Sequence, residues 1–214
     1  LLRGINLCIM NKKSLAVSTN KDNGVSPRYA ILVMDMLNDF IYGRLKSVRA
    51  RKIIPKIKYL LDFARRKNIP IFYCNDEHLL SDPEIRVWGA HAIKGTKGAD
   101  VIQDIKPTNS DLMIPKRGYS AFDKSKLEKV LKSTYNGNGP TTIIMTGIHT
   151  HICIKHSTYD AFTRGYDTII AEDGVNAFTK NDHIFGLEYM KANYGAKIQK
   201  ISEIIRDINQ QSKL

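Results

Sequence analysis

The chain has no apolar run approaching the ~18 residues that span a bilayer, so no membrane-spanning helix and no membrane partner are expected. Cysteine is scarce, with only Cys8, Cys74 and Cys153. An odd, widely spaced set of thiols is no disulfide framework and suits a reducing, cytoplasmic setting. No Cys-x-x-Cys occurs, which leaves a redox-thiol role for Cys74 and Cys153 without its usual signature. Acids are also few: 21 Asp and Glu face 33 Lys and Arg, for a net charge of +12. Such an excess can serve nucleic acid or phosphate. Yet there is no block of five like charges and no nucleic-acid-reading signature. A solvated basic surface accounts for the charge more simply, and it would also attract an anionic substrate or product. No specific nucleic acid is expected as a partner.

What is present reads as one soluble domain with an extension. A length of 214 residues, 43% hydrophobic and 25% charged, suffices for a single packed core. Residues 1–27 are polar without a steady period and carry no secretory apolar core, so they read as an N-terminal extension to a domain spanning 28–214.

Within the domain, apolar runs alternate with helical spacing. "YAILVMD" (29–35), "IPIFYC" (69–74), "DLMI" (111–114), "TTIIMTG" (141–147), "DTIIAE" (167–172) and "AKIQKI" (196–201) read as buried strands. Between them, Ile57, Leu60, Leu61 and Ala64 recur at helical spacing behind Pro55. Leu127, Val130 and Leu131 mark a second helix, residues 152–164 a third stopped by Gly165, and Ile184, Leu187 and Met190 a fourth. Residues 75–110 read as a long irregular segment. Alternation of this kind predicts an α/β fold with a mainly parallel sheet and helices on both faces.

In such sheets, ligands sit beyond the carboxyl ends of the strands. Asp35 ends the first strand, Lys116 follows the third, and Cys153 lies where the fourth hands over to a helix. A thiol is nucleophilic only as thiolate. The helix N-terminus and the Lys116 ammonium are therefore expected to lower the Cys153 pKa, with Asp35 taking the thiol proton and passing it to a leaving amine. Each residue alone has an ordinary structural use, as a turn acid, a solvated lysine or a core thiol; together at one sheet edge they point to nucleophilic catalysis.

These residues carry a resemblance. "VMDMLNDF" (33–40), "KRGYSAF" (116–122) and "GIHTHICI" (147–154) resemble the three motifs of the isochorismatase-like cysteine hydrolases, which include nicotinamidases and N-carbamoylsarcosine amidases. The resemblance runs over about residues 29–205, with the motifs in the family's order. It implies a three-layer α/β/α fold with a six-stranded parallel sheet, an Asp35-Lys116-Cys153 triad, and a homo-oligomer. It also implies a cis peptide between Ile148 and His149 that aims the backbone N–H groups of His149 and Cys153 at one point, an oxyanion hole for amide attack. Phe40, Trp88 and Tyr119 fall at positions similar to the family's ring-contacting residues, so a flat substrate would lie among them.

A second group lies in "NDEHLLSDPEIRVWGAH" (75–91). Asp76 and His78, two apart on an extended segment, face the same way, and His91 follows a loop. Two imidazoles and a carboxylate suit zinc, iron or manganese with positions left open. Polar loop residues without a metal are the alternative. Nicotinamidases carry a similar Asp-x-His and Trp-x-x-His, the latter matched by "WGAH", which makes a divalent metal, zinc foremost, the expected cofactor. The chain departs from that pattern at Glu77, where tryptophan is usual, and at Ser81 and Asp82, where a further histidine is expected. It looks closer there to the carbamoylsarcosine amidase-related members. His151 and His156 receive no role. The expected function is a thiol-dependent amidohydrolase that cleaves a small amide, nicotinamidase-like, through a thioester and releases ammonia. An N-carbamoylsarcosine amidase-type hydrolase, or a non-enzymatic basic nucleic-acid-associated protein on the same scaffold, is the alternative.

Overall fold

The computed structural model describes residues 27–211. The expectation of a polar extension over 1–27 therefore lies, but for Pro27, outside the described residues, as does Cys8.

Elements follow one another in the alternating order expected. Strand β1 (Tyr29–Met34) leads to the short helices α1 (Asn38–Ile41) and α2 (Val48–Arg51) and then to α3 (Ile54–Arg66). β2 (Ile71–Asp76) is followed by α4 (Pro83–Trp88), and β3 (Leu112–Lys116) by α5 (Leu127–Ser133). β4 (Thr142–Ile148) runs through a π-helical turn (Thr150–Ile154) into α6 (Lys155–Thr163). β5 (Asp167–Asn176), α7 (Lys180–Tyr194), β6 (Lys197–Gln199) and α8 (Ile201–Gln211) complete it.

The six strands form one sheet in the order β3-β2-β1-β4-β5-β6, with every neighbouring pair parallel. The three-layer α/β/α expectation holds, because alternate residues of each strand feed opposite cores. Ile31, Val33, Ile71, Tyr73 and Ile144 pack with α3 and with Ile201, Ile204, Ile205 and Ile208 of α8 on one face. Leu32, Met34, Phe72, Cys74, Ile143 and Met145 pack with Leu127, Ile154, Ala161, Leu187 and Met190 on the other. Two corrections concern extent. Residues 196–201 are strand only over Lys197–Gln199, and the chain then turns into α8; β5 continues past residue 172 to Asn176.

Sequence order reverses direction between β1 and β4, the switch point at which open α/β sheets bind ligands. There Gly147 pairs with Met34 at φ 105°, and a Cβ on it would stand 2.1 Å from the Met34 carbonyl oxygen. Only glycine lets the two central strands end this close together.

Candidate active site

The three strand-end residues meet at that switch point. Asp35 follows β1 in the left-handed region (φ 52°), which turns the chain, and its carboxylate Oδ1 accepts the Asp76 backbone N–H at 2.8 Å. Lys116 is the last residue of β3 and is wholly buried. Its Nζ lies 2.5 Å from Asp76 Oδ1, 3.0 Å from Asp35 Oδ2, 3.2 Å from the Gly118 carbonyl and 3.7 Å from Cys153 Sγ. Cys153 sits in the π-helical turn, four residues after the cis Ile148–His149 peptide. Asp35, Asp76, Lys116 and Cys153 are all buried.

Charge in this cluster does not follow the sequence-based expectation. Two carboxylates share one ammonium, so the group is already net negative before the thiol ionises. Burial pushes the Asp35 carboxyl up to about 6, with the Asp76 charge adding to it and Lys116 opposing. Burial works most strongly against Asp76, but Lys116 and His78 together outweigh it and hold that carboxyl below its ordinary range. Lys116 is held firmly charged, its burial outweighed by Asp35 and Asp76. Cys153 is pushed up: burial first, then the two carboxylates, exceed the pull of Lys116. This direction is opposite to the lowered thiol pKa expected from the sequence.

A small, largely apolar cleft opens over Cys153. Phe40, Trp88 and Tyr119, named from the sequence, all line it, together with His149, Ile152 and Phe178. Trp88 Nε1 donates to Tyr119 Oη at 3.1 Å and its ring stacks 5.8 Å from Phe178, which stacks in turn 3.7 Å from His149. Burial pushes His149 down to about 3, so its ring is neutral. His156 is exposed, bonded through Nδ1 to the Ile152 carbonyl, and His151 is half-buried.

Asp76, His78 and His91 also come together, and Glu84 of α4 joins them. Each contributes one donor atom, and the four atoms lie within 4.8 Å of one another. His78 Nε2 is buried with no hydrogen-bond partner, 3.5 Å from Asp76 Oδ2 and 3.8 Å from Glu84 Oε2. His91 donates Nδ1–H to the Gly89 carbonyl at 2.7 Å, which leaves Nε2 with its lone pair. Two imidazoles with two carboxylates are a donor set that zinc, iron and manganese accept, and the orphaned nitrogen fits a metal. Burial and the neighbouring Asp76 charge push Glu84 up to about 7, against the pull of Lys116 and His78.

A family model for the isochorismatase domain matches residues 29–203. This chain belongs to the isochorismatase family. Isochorismatase-family structures superpose on it closely. N-carbamoylsarcosine amidase from Thermoplasma acidophilum is 35% identical, covering 81% of this chain and 96% of its own, with a TM-score of 0.75. A nicotinamidase/pyrazinamidase from Bacillus subtilis is 26% identical over 81% of this chain and 100% of its own, with a TM-score of 0.75. The pyrazinamidase of Pyrococcus horikoshii, solved in complex with zinc, is 28% identical over 81% and 99%, with a TM-score of 0.74. Among curated sequences, the Escherichia coli enterobactin synthase component B is 28% identical over 78% of this chain, which spans 59% of that relative's length. The isochorismatase family thus relates this chain to hydrolases of small amide C–N bonds.

Glu84 and Phe178 are two residues of this site that the sequence does not point to. Phe178 stands two residues beyond the end of β5, whereas the sequence places the end of that strand at residue 172. Glu84 lies in a short helix within a segment expected to be irregular.

Proposed function

We propose that this protein is a cysteine-dependent amidohydrolase that cleaves the C–N bond of a small, flat amide and releases ammonia. The observation that carries the reading is the placement of Lys116 Nζ, 3.0 Å from Asp35 and 3.7 Å from Cys153, beneath an aromatic pocket. Cys153 Sγ attacks the amide carbonyl as Asp35 takes the thiol proton. A carboxylate whose own pKa is about 6 is well matched to receive and return a proton near neutrality. Lys116 stabilises the negative charge that develops on sulfur as the proton leaves and that the attack then passes to the carbonyl oxygen. The backbone N–H groups of His149 and Cys153 hold the oxyanion. As the C–N bond breaks, the proton on Asp35 passes to nitrogen and ammonia departs. Water then attacks the thioester, Asp35 takes its proton, and the carboxylic acid leaves as the thiol is restored.

Phe40, Trp88, Tyr119 and Phe178 form the walls against which a planar substrate stacks. Asp76, His78, Glu84 and His91 would hold a divalent metal, zinc foremost. When bound, the metal supplies a Lewis-acid point for a lone pair on the substrate. This donor set favours an amide with a ring nitrogen, as in the nicotinamidases. The 35% identity to the carbamoylsarcosine amidase favours a second reading, a carbamoyl substrate.

An ammonia-release screen of nicotinamide, pyrazinamide and N-carbamoylsarcosine, with and without added zinc, tests both. Turnover that requires Cys153 is expected. No ammonia from any small amide, with intact fold, would overturn the assignment.

A further inference from the structure

We propose that Asp82 is a positioning residue for the metal cluster: it holds the His78 ring so that Nε2 faces Asp76, Glu84 and His91, and Arg117 locks Asp82 in that pose. The inference rests on the metal reading above and goes beyond it, since Asp82 contributes no atom to the cluster.

Asp82 stands at the N-cap of α4, where an aspartate ordinarily accepts a hydrogen bond from its own helix. It makes no such cap bond. Its carboxylate instead turns away, accepting from the Leu79 backbone N–H at 3.0 Å and from His78 Nδ1 at 3.1 Å. Arg117, the residue after Lys116, closes over the other side, with Nε 3.1 Å from both oxygens and Nη2 also on Oδ1. A carboxylate that accepts from Nδ1 fixes the tautomer with Nδ1–H and leaves Nε2 as a lone pair. That nitrogen is the buried, unpartnered one.

The backbone of His78 is fixed by other means. Its N–H donates to the Ala92 carbonyl and its own carbonyl accepts from Lys94 N–H, each at 2.9 Å. These bonds set where the residue sits, and they bring His91 alongside, with ring centroids 4.8 Å apart. They leave rotation and tautomer of the ring undetermined, and Asp82 supplies both. The Arg117 side chain is about half exposed while Asp82 beneath it is buried; the forked contact holds the carboxylate plane. The position at which the sequence pattern expects another histidine therefore acts from outside the cluster, and Glu84, two residues on, provides the donor.

The test uses the purified full chain, stripped with chelator, and Zn²⁺ as the probe. Zinc affinity is measured by competition with a fluorescent chelator for wild type, Asp82→Asn and Arg117→Met. Loss of a carboxylate behind a metal-bound histidine costs about 10–100-fold in affinity; that loss is expected in Asp82→Asn, with a smaller one in Arg117→Met. Long-range ¹H–¹⁵N correlation of the His78 ring in zinc-loaded wild type is expected to show Nδ1 protonated and Nε2 bound. Wild-type zinc affinity in Asp82→Asn, or Nδ1-bound zinc in the wild type, would overturn the role of Asp82 alone. No zinc binding by wild type would overturn the metal reading and this inference together. The wild-type spectrum needs no variant, so it decides even if Asp82→Asn fails to fold.

Discussion

The Lys116 ammonium stands 3.0 Å from Asp35 Oδ2, and solvent reaches neither side chain. Because Lys116 must also answer Asp76 at 2.5 Å, Asp35 is a carboxylate only half neutralised. That leaves it basic enough to take a proton from Cys153. The substitution Asp35→Asn keeps the shape and removes the base, so kcat should fall by about 10² or more. It also removes one of two buried carboxylates competing for one cation, so the melting temperature at pH 7 should hold or rise. Thermal unfolding beside an ammonia assay checks both; a large drop in melting temperature would count against the charge balance described.

The pH profile should show the same group. As the proposed base, Asp35 would work only when ionised, and burial with the Asp76 charge pushes its carboxyl up to about 6 from an ordinary 3.8. Activity should therefore fall as pH drops through about 6. Stability runs the other way. Since the unfolded carboxyl ionises near 3.8, keeping it charged in the fold costs about 3 kcal/mol above pH 6, and that cost disappears below pH 4. An acid limb in kcat/KM centred near 4 would show that burial and Asp76 do not raise Asp35 in this way.

Lys116→Met leaves Asp35 and Asp76 buried without a cation. Breaking a buried ion pair on one side typically costs about 3–5 kcal/mol, and denaturant unfolding should show a loss of that order. Adding Asp35→Asn should recover part of it. A surface-like change below about 1 kcal/mol would mean that Lys116 is solvated.

Alkylation separates the thiols. Cys153 lines the pocket, whereas Cys74 is sealed in the core between strands and its thiol is pushed up by burial. Iodoacetamide on the folded protein should modify Cys153 well before Cys74, at a rate that climbs with pH instead of levelling near neutrality. Peptide mapping by mass spectrometry reads it. A pH-independent rate across 6–8 would restore a standing thiolate.

Glu84→Gln tests the donor that the sequence pattern does not supply. The substitution should weaken zinc binding by at least about 10-fold, as even an outer contact can, with the fold intact. Unchanged affinity by chelator competition would exclude Glu84 from the cluster.

Much of the fold and of the triad is legible in the sequence. The strands announce themselves because those at the centre of a parallel sheet are buried on both faces, so "YAILVM" and "TIIMTGI" carry continuous apolar runs. Asp35, Lys116 and Cys153 stand at or just beyond the carboxyl ends of such runs, where a parallel sheet keeps its ligands. The boundaries are harder. Glu172, Asp173 and Gly174 look like the end of β5, yet the strand continues through them to Asn176, past a register shift between Met145 and Gly147 on its partner. Phe178 is lost with that boundary. Helix α8 has its signal in plain view, Ile201, Ile204, Ile205 and Ile208 at helical spacing, but the short apolar run before it draws Ile201 into the preceding strand. Glu84 has no signal. A six-residue helix with no buried residue leaves no periodicity to read, and its carboxylate meets Asp76 only through tertiary folding.

Asp76 belongs to both halves of this site. One oxygen holds Lys116 at 2.5 Å, the other looks toward His78 at 3.5 Å, and its backbone N–H holds Asp35 at 2.8 Å. The proposed nucleophile and metal chemistries are therefore not separable modules. The free energies of substitutions on either side should fail to add when Asp76 is one of the pair. In the proposed reading, His78 and His91 serve the metal half alone, whereas Asp76 also holds Lys116 and Asp35.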